Sequence, residues 1–250
     1  MIQDLHSHTY YSFCGKDAPQ TLAENAIAGG IELLGICDHN YGIGYGGIGA
    51  FRERGSNDAP DYALLLQKYF DHITTVRDLY RDRLTILRGV ELCTLQDESH
   101  RGCPLPDHID ISHFDYCLIE NLDAACSCTG GDLFAYAKRC ATETVGVAHT
   151  DLFTHIQRLG VDPLDYFKRM ADQNIFWEMN INFDSIHRHR EHPYVSDFLN
   201  DPHKQAIVRE SGVRIAIGFD GHRVEDYLPK RVQEYNRKLD ELGILKAFEG

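Results

Sequence analysis

The stretch Asp4-Leu5-His6-Ser7-His8-Thr9 ends a short apolar opening and decides how the rest of the chain is interpreted. Side chains of an extended strand alternate between two faces, so His6 and His8 project from the same face. Two neutral imidazoles on one face can hold a single metal ion, and histidine is the commonest protein ligand for metals. The pattern alone is equally consistent with a polar strand that carries two incidental histidines. The other strand ends of the chain separate these two interpretations.

Length and composition are those of one globular domain. The chain has 250 residues, of which 43% are hydrophobic and 25% charged, and this balance is typical of soluble proteins. We therefore expect a single barrel-sized domain over residues 1–250. No apolar run approaches the roughly 18 residues that span a bilayer, and the first residues are polar, so neither a membrane segment nor a signal peptide is predicted. Eight cysteines without secretory features indicate reduced thiols and a cytoplasmic location.

The acidic balance of the chain limits its partners. A formal net charge of −13 repels nucleic acids and anionic membranes at long range. The charge does not exclude a small phosphorylated substrate, because metal ions in a cleft dominate the local field. We therefore expect a small phosphorylated partner, and neither a nucleic acid nor a membrane.

Short apolar runs alternate with longer amphipathic stretches along the whole chain. Seven runs have the length and apolar composition of strands buried on both faces, namely residues 1–5, 32–37, 84–90, 114–119, 145–148, 175–179 and 213–219. Helical patterns lie between and after them, at 21–30, 61–81, 131–140, 163–174, 196–211 and 228–242. This alternation predicts a parallel sheet covered by helices.

Polar groups that bind metals in other proteins follow every one of these strands. They are His6, His8, Asp38, His39, Glu91, Glu120, Asn121, His149, Glu178, Asn180, Asp220 and His222. Barrel enzymes collect their functional residues from many strands at the carboxyl end of the barrel. An open sheet instead concentrates its site at one crossover point. Contributions from all seven strands therefore favour a closed, TIM-like α/β barrel of seven strands.

Six of these side chains have the chemistry of a site with more than one metal ion: His6, His8, Glu91, His149, Asp220 and His222. Imidazole suits zinc, iron and similar metals, and a carboxylate such as that of Glu91 can bridge two ions. Asp220-Gly221-His222 repeats the alternate-residue spacing of the opening stretch. One of its two side chains can therefore reach one ion while the other turns toward a neighbouring ion.

Two segments are predicted insertions into the barrel. Residues 41–59 contain six glycines directly after Asp38-His39, but they lack the spacing of a phosphate-binding loop. We interpret this segment as a flexible lid or rim loop. Residues 96–112, which contain His100, Cys103, His108 and Asp110, are interpreted as a surface excursion, with a contribution to substrate binding as the alternative.

Five segments, in this order, resemble the motifs of the polymerase and histidinol phosphatase (PHP) superfamily. They are Asp4-Leu5-His6-Ser7-His8-Thr9, Cys37-Asp38-His39, Gly89-Val90-Glu91, Ala148-His149 and Phe219-Asp220-Gly221-His222. The resemblance extends from residue 2 to about residue 223 and points to the stand-alone phosphoesterase branch. It implies a distorted (β/α)7 barrel that binds two or three divalent metal ions, Zn, Fe or Mn.

The resemblance also implies how the ligands are shared between the ions. The first ion is surrounded by four side chains: His6, His8, Glu91 and Asp220. Glu91 bridges from there to a second ion, which His149 holds. The third ion is held by His39, His222 and a residue near position 14.

The chain departs from the family pattern in two places. The loop after the first motif commonly offers His or Asp, whereas this chain has Cys14, which we take as a thiolate ligand. The fourth strand lacks the usual final histidine; Glu120, Asn121 and Asp123 are the alternatives, and Asn121 represents this position in the predicted set. The predicted metal ligands are therefore His6, His8, Cys14, His39, Glu91, Asn121, His149, Asp220 and His222.

The resulting hypothesis is a metal-dependent hydrolase of phosphoric esters. Like a histidinol phosphatase, it would cleave a small phosphomonoester with a metal-activated hydroxide. Asp220 or His222 is predicted to protonate the leaving group. Arg223 is predicted to pair with phosphate oxygens in a bidentate fork, and a surface ion pair with Glu225 or Asp226 is the alternative for this side chain.

Two further groups of polar residues are expected near the ligands. Glu178 and Asn180 are predicted to support the ligands through hydrogen bonds. His187, His189 and His192 lie in a strongly polar loop. For that loop, a solvated surface and a basic rim that attracts an anionic substrate are both open.

Two other functions compete with the phosphomonoesterase hypothesis. A phosphodiesterase or nuclease acting on nucleic-acid ends or nucleotides is the first, and the acidic charge and the lack of a basic, aromatic-rich stripe argue against it. A non-catalytic metal-binding regulatory module is the second. The retained histidines and carboxylates argue against that module, while the missing histidine of the fourth strand argues for it.

Overall fold

The computed structural model describes residues 1–96 and 103–249. His100 and part of the predicted insertion at 96–112 lie outside the described residues. The strands are β1 (Gln3–Asp4), β2 (Leu33–His39), β3 (Thr85–Cys93), β4 (Tyr116–Glu120), β5 (Thr144–Val147), β6 (Ile175–Asn180) and β7 (Ile215–Gly218). The helices are α1 (Pro19–Ala28), α2 (Ile48–Arg54), α3 (Tyr62–Tyr80), α4 (Leu133–Cys140), α5 (Leu152–Leu159), α6 (Pro163–Asp172), α7 (Pro193–Asn200), α8 (Pro202–Ser211) and α9 (Pro229–Glu241), with a 3₁₀ turn at Val224–Asp226.

The seven strands form one parallel sheet in which each strand pairs with the next along the chain. The sheet curls so that its first and last strands meet. Leu5 N donates to Ile217 O at 2.8 Å, Asp220 N to His6 O at 2.7 Å, and His8 N to Gly221 O at 2.8 Å. The predicted seven-stranded, TIM-like α/β barrel is therefore confirmed.

The inside of the barrel is filled by a small set of apolar side chains. They are Leu5, Leu33, Cys37, Tyr116, Leu118, Ala148, Phe176, Ala216 and Ala247. Glycines on the strands make room for the two large rings. A Cβ at Gly89 would lie 2.5 Å from the Tyr116 ring, and one at Gly146 would lie 2.3 Å from the Phe176 ring. The barrel is thus a packed core up to its carboxyl end, where the polar side chains begin.

A second, larger apolar layer lies between the barrel and its helices. In α3, the side chains of Leu66, Tyr69, Ile73 and Val76 are buried at helical spacing. Trp177 of β6 packs edge-on against Phe198 of α7, with ring centroids 5.5 Å apart. This layer fixes the strands from outside, so the residues at the strand ends have defined positions.

The helices differ from the predicted pattern in three places. The stretch 196–211 is divided into α7 and α8, because Pro202 cannot continue a helix and Asp201 caps α8 by accepting from His203 N at 2.9 Å. The sequence pattern did not predict α5, which begins at an Asp151 cap. It did not predict α2 within the glycine-rich segment either.

The two predicted insertions touch each other where the structure describes them. The Asn40 amide donates to Cys103 O at 2.7 Å, and the Asn57 amide donates to the same oxygen at 2.9 Å. Cys93 N, at the end of β3, donates to the Asn40 amide oxygen at 2.8 Å. Both segments are therefore fastened beside His39, at the carboxyl end of the barrel.

Within the described ranges, none of the helices has the length and apolar character required to cross a membrane.

Candidate metal centre

The candidate ligands lie together at the carboxyl ends of the strands, within the barrel mouth. His6 and Glu91 are fully buried, and the exposed fractions of His8 and Asp220 are 2% and 5%. The backbone is left-handed at His149 (φ 25°) and at Asp220 (φ 55°). Non-glycine residues adopt this conformation at a cost of about 1–3 kcal/mol, and such residues cluster at functional sites. The fold therefore maintains an unfavourable backbone in order to direct these two side chains.

Four ligand atoms lie at the separations expected around one tetrahedral ion. His6 Nε2 lies 3.1 Å from His8 Nε2, 3.4 Å from Glu91 Oε2 and 3.7 Å from Asp220 Oδ1. His8 Nε2 lies 3.6 Å from Glu91 Oε2 and 3.1 Å from Asp220 Oδ1. Zinc bonds of about 2.0–2.2 Å imply separations of about 3.3–3.6 Å between tetrahedral ligand atoms. The donor set and its spacing therefore fit a metal ion.

Glu178 sets the tautomer of His6. His6 Nδ1 lies 2.6 Å from Glu178 Oε1, and an ionised carboxylate only accepts, so Nδ1 carries the hydrogen. In the neutral ring, Nε2 then has a free lone pair that points at the other ligand atoms. Gly218 permits this pairing, because a Cβ there would lie 2.0 Å from Glu178 Oε1.

Ser12 and Asp38 set the tautomer of His8 in the same way. The Ser12 hydroxyl donates to Asp38 Oδ1 at 2.6 Å, so its oxygen accepts from His8 Nδ1 at 3.3 Å. His8 Nε2 is therefore also a lone-pair donor to a metal. Two such lone pairs 3.1 Å apart repel unless a proton or a metal ion lies between them. The sequence pattern placed Asp38 at a strand end but did not predict this role.

A second group of ligand atoms surrounds the other side of Glu91. Glu91 Oε1 lies 3.1 Å from His149 Nε2, and Glu91 Oε2 lies 2.8 Å from His39 Nδ1. The Glu120 carboxylate lies 3.6 Å from His39 Nδ1 and 3.9 Å from His149 Nε2. Three of these buried atoms, His39 Nδ1, Glu91 Oε2 and Glu120 Oε1, make no hydrogen bond of adequate geometry among the described residues, even though the first two lie close together. Buried polar atoms without partners are costly, and a metal ion would satisfy them.

Glu120, and not Asn121, occupies the position that the fourth strand contributes. Glu120 is the last residue of β4 and is 7% exposed. The hydrogen bonds found for Asn121 in the described part of the chain involve its backbone oxygen, which accepts from Thr94 and Ala124. Asp123 faces outward, 3.5 Å from Arg158. The structure therefore places the Glu120 side chain, and not the predicted Asn121, beside the other candidate ligands.

A third group forms around Cys14. The ligand atoms of Cys14, His8 and His39 all lie within 4.8 Å of one another, and the thiol also interacts with His222. Burial raises the pKa of Cys14, but hydrogen bonds with His222 and His39 outweigh it and lower this pKa below its usual value. The thiolate, which is the form that binds metals, is therefore favoured.

His222 is held by an acidic residue that the sequence pattern did not identify. His222 Nδ1 lies 2.9 Å from Asp184 Oδ2, while Asp184 Oδ1 lies 2.9 Å from His187 Nδ1. Asp184 is fully buried. Hydrogen bonds from both imidazoles outweigh the effect of burial and lower the pKa of Asp184. The sequence does show Asp184 three residues before His187. That spacing does not define the conformation of the loop, so it does not predict the contact between Asp184 and His222.

The charge states of the cluster suit a cation. Burial, reinforced by the neighbouring imidazoles, lowers the pKa of His8 to about 3, so this ring is neutral. For Glu91 and Asp220 burial raises the pKa, but the surrounding histidines outweigh it and lower both pKa values. Burial, and next the charge of Glu91, raise the pKa of Glu120. Burial lowers the pKa values of His6, His39, His149 and His222, but the carboxylates around them outweigh it and raise these pKa values. The carboxylates therefore favour positive charge at the site, carried either by protons or by metal ions.

Of the other predicted residues, some contact the candidate ligands and others lie at the surface. Asn180 donates to Asp220 Oδ2 at 3.2 Å, as the predicted support for a ligand requires. Arg223 Nη1 lies 3.8 Å from Glu225, which is the surface ion pair left open above. His189 is exposed and bonds Phe183 O at 2.8 Å. The His192 ring is stacked on the His149 ring, with centroids 6.0 Å apart.

The structure thus brings together eight of the nine predicted ligands: His6, His8, Cys14, His39, Glu91, His149, Asp220 and His222. It adds Glu120 to them. A compact set of imidazoles, carboxylates and one thiol can hold more than one divalent ion. Such a site can neutralise the charge of a phosphoryl group and supply a nucleophile at neutral pH.

Known proteins share sequence features and the fold of this chain. The family model described as "PHP domain" matches residues 4–194. The structure of a histidinol phosphate phosphatase from Lactococcus lactis subsp. lactis Il1403, complexed with zinc, L-histidinol and phosphate, has a TM-score of 0.57. The two sequences are 16% identical, and the aligned region covers 98% of this chain and 94% of the Lactococcus chain. At this identity the likeness concerns the fold.

A second solved structure, from Listeria monocytogenes, is described as a candidate histidinol phosphatase. It has a TM-score of 0.45 and 15% identity, covering 90% of this chain and 96% of its own. The comparison with curated proteins gave no match.

Proposed function

Since the chain belongs to the PHP domain family, we propose that it hydrolyses a small phosphomonoester of the histidinol phosphate type. The family and the clustered metal-binding side chains make the protein a metal-dependent phosphoesterase. The proposal adds the class of substrate. The observation that carries the proposal is the group of His6, His8, Glu91 and Asp220 atoms at separations of 3.1–3.7 Å.

The substrate class is supported by the related structure. The histidinol phosphate phosphatase of Lactococcus lactis holds L-histidinol and phosphate, the two products of phosphomonoester cleavage. The candidate site here is enclosed at the mouth of the barrel, beside Phe13 and Tyr41, whose rings lie 5.4 and 4.8 Å from the His39 ring. A small ester with a planar group suits such a mouth better than a polymer does.

The proposed ligands divide among two or three divalent ions, with zinc as the leading choice. His6, His8, Glu91 and Asp220 would hold one ion. Glu91 would also contribute to a second, together with His149 and Glu120. Cys14, His39 and His222 would hold a third. When bound, the ions supply charge neutralisation of the phosphoryl oxygens and a water nucleophile at neutral pH.

The chain's own residues prepare the site for this chemistry. Glu178 keeps the hydrogen of His6 on Nδ1, and Ser12 does the same for His8. Glu178 Oε2 also accepts from His149 N at 2.6 Å, so one carboxylate fixes two predicted ligands. Asp184 fixes the His222 ring. These bonds orient the ligand atoms before substrate arrives, which limits reorganisation during reaction.

Replacement of His149 by alanine tests the proposal. We expect His149→Ala to reduce the metal content, measured by elemental analysis, and to lower turnover of a phosphomonoester by more than about 100-fold. Changes to residues that only support a ligand already cost about 10- to 100-fold. His203→Ala, an exposed histidine on α8, is the matched control. Unchanged metal content and turnover in His149→Ala would refute the assignment.

A substrate panel separates the competing functions. Histidinol phosphate, other phosphomonoesters, a phosphodiester and single-stranded DNA are each offered with zinc, iron and manganese. We expect phosphomonoesters to be cleaved fastest. Preferential cleavage of the diester or the DNA would identify a phosphodiesterase or nuclease. Metal binding without cleavage of any substrate would identify a regulatory module.

A further inference from the structure

We propose that His187 is the proton donor to the leaving-group oxygen and that Asp184 positions it for this task. This inference rests on the proposed phosphomonoesterase function and deepens it. It concerns a side chain in the polar loop after β6, outside the set of predicted ligands.

Asp184 holds the His187 ring in one orientation. Asp184 Oδ1 lies 2.9 Å from His187 Nδ1 and accepts from His187 N at 2.8 Å. The carboxylate is fully buried, so it has a defined position from which to orient the ring. With Nδ1 bound to Asp184, Nε2 is the nitrogen available for chemistry. It lies 4.0 Å from Asp220 Oδ2, and the ring centroid is 5.2 Å from that of His222.

The loop is fastened to the ligand segment. Asn182 donates from its amide to Asp220 O at 2.9 Å, and its amide oxygen accepts from Asp184 N at 3.1 Å. His189 N donates to Asp184 O at 2.8 Å. Arg188 and His189 are both left-handed, with φ of 58° and 52°. The loop therefore has a specific turn that returns His187 to the site, and is not simply a solvated excursion.

Exposure distinguishes His187 from the proposed ligands. Its side chain is 35% exposed, whereas those of His6, His8, His222 and His149 are 0%, 1%, 5% and 24% exposed. A proton donor must recover its proton from solvent after each turnover, and a buried ligand cannot do this readily. His187 combines contact with the site and access to water.

Asp220 and His222, which the sequence predicts as proton donors to the leaving group, are engaged in other contacts. Asp220 Oδ1 lies within 3.7 Å of the Nε2 atoms of His6, His8 and His222. His222 has Nδ1 on Asp184 and Nε2 3.6 Å from Asp220 Oδ1. Both are thereby committed to the proposed metal cluster. His187 forms a cluster with Asp184 and His222 that could also hold an ion, but with Nδ1 on Asp184 its Nε2 is directed at the site, 4.0 Å from Asp220 Oδ2.

The proton transfer completes the leaving-group side of the reaction. A hydroxide oxygen, derived from water, forms a bond to phosphorus. The bond between phosphorus and the ester oxygen breaks, and the electron pair of the broken bond goes to the ester oxygen. The proton on His187 Nε2 forms the new O–H bond, and the alcohol departs. His187 is left neutral and regains a proton from water, while Asp184 remains ionised throughout.

The test compares leaving groups in His187→Gln. General acid catalysis contributes about 10²- to 10⁴-fold when the leaving oxygen needs a proton. We expect a loss of this size with an alkyl phosphomonoester such as histidinol phosphate. We expect a loss of less than about 10-fold with p-nitrophenyl phosphate, whose leaving group departs without a proton. The metal content and the melting temperature should remain those of the wild type.

His189→Gln is the matched control, because it is on the same loop and exposed. We expect it to keep wild-type rates with both esters. A second variant, His187→Asn, guards against a folding defect specific to glutamine. Equal losses with the two esters, or loss of metal in both His187 variants, would overturn the role of His187. Failure of the wild-type protein to cleave either ester would instead overturn the proposed function.

Discussion

At the scale of single residues, the site depends on carboxylates that never need to touch a substrate. Glu178 is 1% exposed and bonds both His6 Nδ1 and His149 N, each at 2.6 Å. In the proposed assignment these two ligands hold different ions, so one buried side chain would fix the positions of both. A carboxylate can accept on both oxygens, whereas an amide has one acceptor and one donor.

Glu178→Gln should therefore weaken metal binding by about 10- to 100-fold. The amide must place its NH₂ group against one of two N–H donors, which misaligns either His6 or the His149 backbone. Zinc affinity is measured by competition with a chromogenic chelator. Glu225→Gln, at an exposed carboxylate, serves as the control. Equal zinc affinity in Glu178→Gln and wild type would contradict this account.

Sequence reasoning reached some of these residues and not others, for physical reasons. Glu178 was predicted because it ends a strand at the carboxyl edge. The choice between Glu120 and Asn121 depends on where β4 ends, and a shift of one residue turns a side chain to the opposite face. Asp184 and His187 lie in a loop, where no periodicity relates sequence to direction.

At the scale of elements, the strands were predicted well because each is a short apolar run between helical patterns. Boundaries shifted by one to three residues where polar ligands extend a strand, as at the end of β2 and β3. The missed helices are short, and α2 lies among glycines that disfavour a helix. Asp201 followed by Pro202 is a typical start of a helix and marks the beginning of α8. The apolar pattern over residues 196–211 continues across this pair, so the sequence pattern predicts one helix there.

The pairing of β3 and β4 is reinforced by one ion pair with a pH dependence. Asp115 Oδ2 accepts from Arg88 N at 2.7 Å and from Nε at 2.9 Å, and Asp115 Oδ1 lies 2.6 Å from Arg88 Nη2. Partial burial raises the pKa of Asp115, but these hydrogen bonds outweigh it and lower this pKa below its usual value. The ionised carboxylate is therefore the form that stabilises the folded chain.

Asp115→Asn should lower the free energy of unfolding by about 1–3 kcal/mol at pH 7. A lowered folded-state pKa contributes stability above the unfolded value of about 3.9, and this stability is lost as pH falls through the folded-state pKa. The difference between variant and wild type should thus shrink below about pH 4. Urea unfolding at several pH values measures it. Asp82→Asn, whose side chain is 92% exposed, should change little, and a pH-independent difference would contradict the prediction.

At the scale of the whole molecule, the candidate ligands lie where the barrel closes. The candidate ligands come from the ends of β1, β2, β3, β4, β5 and β7, and β1 is only two residues long. His6 and Asp220 stand on opposite sides of the junction between the first and last strands. A metal bonded to both would tie these strands together.

Removal of metal should therefore lower the melting temperature. Zinc at 100 times its dissociation constant stabilises the folded state by about 2.7 kcal/mol. For a chain of this size that corresponds to about 5–10 °C. Calorimetry with zinc or with a chelator measures the shift. His6→Ala should lose most of it, and an undiminished shift in that variant would place the stabilising ion elsewhere.

The junction between β1 and β7 also orders events during synthesis. The segment with His6 and His8 leaves the ribosome before the segment with Asp220 and His222. The hydrogen bond from Asp220 N to His6 O, which helps to close the barrel, can form only after the second segment has emerged. Until then the first histidines have no partners from the last strand. A nascent chain can form β2 to β6 against its helices and still lack a complete ion site. An ion could therefore contact His6, His8 and Asp220 together only after the segment with Asp220 has been synthesised.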